Sequence, residues 1–198
     1  MNIELQKVKI WFEIIKPSRT SIVKWLTIIS ILLLAIHTSS CRTTYPNQNV
    51  EGQVFPKVKG KSLAGKVWQL PDELAGKKAV LLIGYVRQSQ FDIDRWLIGL
   101  DFYKVKTNIF EVPTINSFFA QMIQEKIDSG MRSGIPNELW KIVITVYDEA
   151  ETIESFLGNT DPGNARVVVL DEKGQVTFIH DRGFSVPALK QLLERIKQ

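Results

Sequence analysis

Ala79-Val-Leu-Leu-Ile-Gly-Tyr-Val86 is an unbroken apolar run, with Gly76-Lys-Lys78 before it and Arg87-Gln-Ser89 after it. It is too short for a typical helix. A strand that is apolar at every position, not every second one, is covered on both faces. The run therefore predicts a buried central strand of a parallel or mixed sheet, and an α/β chain around it.

The flanking patterns supply the partners. Residues 66–70 read as a short strand and 71–74 as a turn. Ser89 is placed to cap a helix over 89–100, with Asp92 and Asp94 in its first turn, where the helix dipole favours carboxylates. Phe91, Trp96 and Leu100 recur near helical period, and Ile93 and Leu97 share much of that face. Residues 107–112 form a further short strand, ended by Pro113. A helix follows over 116–129, with Phe118, Met122 and Ile127 partly inward and Gly130 as its stop. Residues 141–147 make a second strong strand, and 149–157 a short helix stopped at Gly158. The strand 165–170, the turn Asp171-Glu-Lys-Gly174 and the strand 175–180 form a hairpin. Pro187 then starts an amphipathic helix that runs to Lys197. Trp68, Trp96 and Trp140 read as core or boundary aromatics. There are no internal repeats.

Ahead of this domain lies a leader. Residues 25–36 are an apolar run below the ~20 residues of a membrane span and within the ~7–15 of a secretory core segment. Lys7, Lys9, Lys16, Arg19 and Lys24 precede it against only Glu4 and Glu13, an excess that holds the amino end on the cytoplasmic side. Thr38-Ser39-Ser40-Cys41 follows. Small residues before a cysteine resemble a bacterial lipobox, although that pattern prefers Leu where Thr38 stands. The resemblance implies a diacylglyceryl group on Cys41 and cleavage before it. The other reading is an uncleaved signal anchor with an incidental cysteine. Both export and tether the domain to a membrane of the bacterial envelope, facing the periplasm or the exterior. The expected organisation is a signal peptide or anchor over 1–40, a lipidated cysteine and polar tether over 41–60, and a folded domain over 61–198.

Composition narrows what the domain does. The chain carries 25 basic and 21 acidic residues with 44% apolar residues. Five of those basic and two of those acidic residues lie in the first 41, so the remainder is close to neutral. It has no clustered basic face for nucleic acid. Cys41 is the only cysteine and His180 the only histidine outside the leader, so the domain has no internal disulfide, no Cys–His metal site and no expected cofactor. No phosphate loop, dinucleotide fingerprint or nucleophile elbow is present.

Several local spellings resemble the thioredoxin-like superfamily, especially its membrane-tethered thiol-disulfide and peroxiredoxin-like branches. Gly76-Lys77 before the strand 79–86 resembles the approach to that family's first core strand. Val143-Ile-Thr-Val-Tyr-Asp148 with the helix ending Ser155-Phe-Leu resembles the second core strand and its helix. Val168-Val-Leu-Asp-Glu-Lys-Gly174 resembles the hairpin. The resemblance covers residue 60 onward. It implies a three-layer sandwich with a mixed central sheet and a helix-containing insertion, residues 101–139, between the first core helix and the second core strand. The departures are functional. Arg87-Gln-Ser-Gln-Phe91 occupies the family's catalytic-cysteine positions, and the hydroxyl of Ser89 cannot stand in for a thiolate. Ala165 occupies the cis-proline position, with Pro162 out of register. A weaker likeness, through 111–115 and 131–136, runs to the mitochondrial ATP-synthase assembly chaperones.

One site is suggested by topology. The end of strand 79–86, the start of 165–170 and the end of 175–180 share one sheet edge. That brings Arg87, Asp92 and Arg95 toward His180, Asp181 and Arg182, and α/β folds place ligands at such edges. His180 and Asp181 are the candidate catalytic pair; Arg87, Asp92, Arg95 and Arg182 are candidate binding residues, the arginines suited to an anion. The competing reading makes them structural and surface ion pairs. The leading expectation is a tethered, redox-inactive domain that binds an envelope protein or peptide or acts in assembly. The alternative is an envelope enzyme for an anionic small molecule.

Overall fold

The computed structural model describes Lys24 and residues 43–197; the rest of the leader and Cys41 lie outside the described residues. Chain contacts group Thr44–Gln198 as one compact unit. The central strand is where the apolar run places it. In β3 (Ala79–Gly84) every residue is buried. Leu81 and Ile83 face one hydrophobic cluster, and Val80 and Leu82 face a second on the other side. Two-sided burial is the physical reason the run has no polar position.

Around β3 the chain lays down β1 (Val58–Ser62), β2 (Val67–Leu70), α1 (Ser89–Phe102), β4 (Asn108–Pro113), α2 (Phe118–Met122), α3 (Gln124–Gly134), β5 (Ile144–Thr145), α4 (Ala150–Leu157), β6 (Arg166–Leu170), β7 (Val176–His180) and α5 (Val186–Lys197). Four strands pair in the order β4-β3-β6-β7, with β4 parallel to β3 and the hairpin β6–β7 antiparallel. A three-stranded sheet, β2-β1-β5, adjoins it. Isolated parallel bridges from Glu111 to Val143 and from Thr114 to Val146 join the two. One face carries α1 and α5 through Ile93, Trp96, Leu100, Leu189 and Leu192; the other carries α4 through Ile153 and Leu157. Gly99 lets α1 and α5 approach, since a Cβ there would sit 2.7 Å from Leu189 Cδ2.

Local expectations are corrected at six places. Ser89 is the first helical residue and not the cap; its hydroxyl donates back to the Val86 carbonyl at 2.6 Å. Phe91 points outward, 70% exposed, because the buried stripe runs through residues 93, 96 and 100. The helix expected over 116–129 is two helices, broken at Ile123 (φ −119°, ψ 24°), and the second runs past Gly130 to Gly134. Phe118 and Met122, expected partly inward, are 72% and 70% exposed. The strand expected over 141–147 forms regular pairing only in β5, with β1, and single bridges toward β4.

The sixth correction concerns the tether. From Tyr45 onward the stretch expected as a free leash is bound to the domain. The Tyr45 amide donates to Asn159 Oδ1 (2.8 Å), the Gln48 amide to the Leu157 carbonyl (3.4 Å), and the Gly52 amide to the Val176 carbonyl (2.8 Å). Val50 and Phe55 are 1% exposed within the α4-side core. Gly158, at φ +83°, packs so closely on Asn47 that a Cβ would overlap its backbone. The polar composition of 45–53 hid this, because the attachment is made largely by backbone groups.

Candidate functional site

The end of β3 opens into a cleft of about 620 Å³. Its floor and near wall are Gly84, Tyr85, Arg87, Ser89 and Gln90, from the turn between β3 and α1. Glu111 and Pro113 of β4 line it, and Ile127, Met131 and Ile135 of α3 and its end close the far side. Among the described residues, neither a cysteine nor a histidine lines it. The wall is mainly apolar, with polar groups at one end, the composition of a binding pocket.

One buried pair holds that wall in place. The Tyr147 hydroxyl, at the end of the β5 stretch, donates to Asp128 Oδ1 on α3 at 2.8 Å, and Asp128 is 3% exposed. Burial, with the Asp128 contact second, pushes the tyrosine hydroxyl well above its ordinary range, so it stays a donor. Glu111 is 9% exposed. Its carboxyl is pushed above the usual carboxylate range by burial; a Gln90 hydrogen bond opposes this and nearby Asp94 adds to it. A carboxyl with a raised folded-state pKa binds its proton more tightly when folded. Its contribution to stability is therefore full at low pH and is lost as pH rises through that folded value. Glu111→Gln is expected to be more stable than the parent at neutral pH, with the difference vanishing as pH falls below the ordinary carboxylate range. Urea midpoints measured across pH check this, and a pH-independent difference would contradict it.

The charged cluster expected at this edge is divided. Asp92 is 5% exposed and faces inward. Its Oδ2 accepts from the Ala165 amide (3.0 Å) and its Oδ1 from the Phe184 amide (2.6 Å). It is a bracket between the α1 amino end, the start of β6 and the β7–α5 turn, not a ligand group. His180 packs edge-on against Trp96 (5.6 Å) and stacks on Phe178 (6.4 Å), and its Nε2 donates to the Gly183 carbonyl at 2.8 Å. With Nε2 as the donor, Nδ1 is left as the ring's unprotonated nitrogen. Asp181 accepts through its backbone carbonyl from Asn164 Nδ2 (3.3 Å). His180, Asp181 and Arg182 line a separate open groove with Asn47 and Gln191, whereas Arg87 lines the cleft. Arg95 is exposed on α1 and lines neither. The shared edge is as expected, but the side chains do not converge on one ligand.

Arg166 is the residue this reading missed. It starts β6, is fully buried, and lies over the Tyr85 ring (5.1 Å to its centroid). Nη1 donates to the carbonyls of Asp161 (3.0 Å) and Asn164 (2.9 Å), and Nη2 to Asn47 Oδ1 (3.0 Å) and the Thr160 carbonyl. An arginine opening an otherwise all-apolar strand was the available signal. The cis proline among the described residues is Pro71, after Leu70, far in sequence from Ala165.

No family model matches this chain, and no curated protein matches it. Similarity appears at the level of structure. Yeast Sco1 with copper bound superposes over 76% of this chain and 95% of its own, with a TM-score of 0.50 and 13% identity. A proposed protein disulfide isomerase from Bacteroides thetaiotaomicron superposes over 79% and 96%, with a TM-score of 0.50 and 14% identity. The thioredoxin domain of a thiol-disulfide oxidoreductase from Bacteroides vulgatus covers 76% of this chain and all of its own, at 18% identity and a TM-score of 0.49. Identities this low speak to architecture alone: the chain has an α/β thioredoxin-like fold with a mixed sheet.

Proposed function

We propose that this protein is a membrane-tethered envelope protein that binds a protein or peptide through the cleft at the end of β3 and performs no thiol chemistry. The observation that carries the reading is the cleft itself. It occupies the position at which the superfamily places its cysteines, yet Arg87, Ser89 and Gln90 stand there, opposite an apolar wall of Ile127, Met131 and Ile135. Cys41, the chain's only cysteine, precedes the domain. The leader run 25–36 with Cys41 after it supports the tether. The enzyme alternative lacks a convergent site in its favour, since Asp92 accepts from two backbone amides and Arg87 lines the cleft while His180 lines the separate groove.

The test uses the full chain in its native envelope. A photo-crosslinking amino acid at Met131 is expected to give a discrete protein adduct that the same probe at Lys173, on the β6–β7 turn, does not. No adduct at 131, or the same adducts at both positions, would sink the binding reading. In parallel, the purified full chain is expected to reduce insulin disulfides no faster than the dithiol reagent alone. A faster rate that survives Cys41→Ser would overturn the thiol-free reading.

A further inference from the structure

The α2 helix presents an apolar surface. Phe118, Phe119, Met122 and Ile123 are 72%, 77%, 70% and 50% exposed, and the two phenyl rings pack only edge-on against each other at 5.9 Å. From Val112 to Gln124 the chain carries no charged side chain. Apolar exposure on this scale marks an interaction surface.

Its position says which one. Asn116 Nδ2 and Asn159 Nδ2 both donate to the buried Glu154 Oε2, at 3.0 and 3.1 Å. The Tyr45 amide donates to Asn159 Oδ1. Ser117 then caps α2, accepting from the Ala120 amide. A short relay of side chains thus fixes α2 beside the point at which the chain joins the domain. Tyr45 lies four residues after Cys41 and nine after the apolar run ends at residue 36. Four residues reach at most ~14 Å, less than half the ~30 Å thickness of a hydrocarbon core.

We infer that α2 docks into the lipid interface, seating Phe118, Phe119, Met122 and Ile123 among the headgroups and upper acyl chains. The inference rests on the tether reading above. A lipid interface suits these residues: aromatic rings are favoured there, an interfacial helix buries one apolar face, and Gln121 and Gln124 beside them supply polar groups for headgroup level. The side chains project as knobs from a five-residue helix and offer a peptide no groove.

The experiment places p-benzoylphenylalanine at Phe119 of the full chain, in cells whose phospholipids carry radiophosphate. Phe119 is exposed, so the probe fits without disturbing the core. Irradiation is expected to transfer radiophosphate to the chain at 119 and not with the probe at Lys173, at the other end of β6. A protein adduct at 119, a dimer of this chain, or no adduct overturns the docking. Sedimentation with washed membranes reads the tether separately. A chain that sediments but takes no lipid at 119 loses the docking alone; a chain left in the soluble fraction loses both.

Discussion

Asp92→Ala is expected to lower the unfolding free energy by about 2–5 kcal/mol, since hydrogen bonds to a charged group contribute about 1.5–3 kcal/mol each and orphaned buried donors add a desolvation cost. Two amides lose their acceptor at once, those of Ala165 and Phe184. Ala165 is fully buried, so its amide has no water to turn to, while Phe184 is half-buried. Asp92→Asn is the informative control. An amide keeps one acceptor oxygen of the two, so an intermediate loss is expected. Guanidinium denaturation with tryptophan fluorescence measures both, and Trp96, in the cluster beside Asp92, is well placed to report. A loss below about 1 kcal/mol for the alanine variant, the size of one ordinary neutral hydrogen bond, would remove Asp92 from the role assigned to it.

Arg166→Met is expected to cost a comparable amount, about 2–4 kcal/mol, by the same charge-assisted bonding. The chain length of methionine fills part of the volume, so the loss reads mainly the four hydrogen bonds from the guanidinium to residues 47, 160, 161 and 164. The distinctive signature is local. Amides of the 158–164 loop, such as the Asn159 and Thr160 amides bound to Tyr45 and Asn47, should exchange with solvent faster than those of β3. Arg166→Lys, a point donor without the planar fork, should recover only a fraction. Uniform acceleration across the whole domain would mean that Arg166 supports the fold globally and not that loop.

The two predictions sit on residues of unequal legibility. Asp92 was readable as a first-turn carboxylate, but dipole pairing and backbone bracketing look identical in sequence; only the return of residues 165 and 184 to the α1 amino end distinguishes them. Arg166 reads as a solvated charge until four carbonyl and amide oxygens are seen to converge on it. β3 was legible because burial on two faces leaves its mark on every residue. The hairpin was legible because a Gly-ended four-residue turn joins two apolar strands. β1 was not, since Val58-Lys-Gly-Lys-Ser62 buries alternate positions with only one large apolar side chain, and its pairing partners define it. For α2, helical spacing reveals an apolar face but not whether protein covers it. Glu111 carried a usable mark, a carboxylate between Phe110 and Val112 in a strand, which points it to the opposite face from its neighbours.

The attachment of residues 45–55 alters how far the domain can search. A flexible leash of twenty residues, as the composition suggested, would let the domain roam; its root-mean-square span grows as the square root of length, so shortening it to four residues shrinks the accessible volume about tenfold. If the proposed tether holds residue 41, the short free length would keep the cleft close to the membrane surface. Partners diffusing freely would meet it rarely, while those confined to the same surface would meet it at high effective concentration. On the proposed function, the attachment of residues 45–55 would let a partner's location contribute to selectivity.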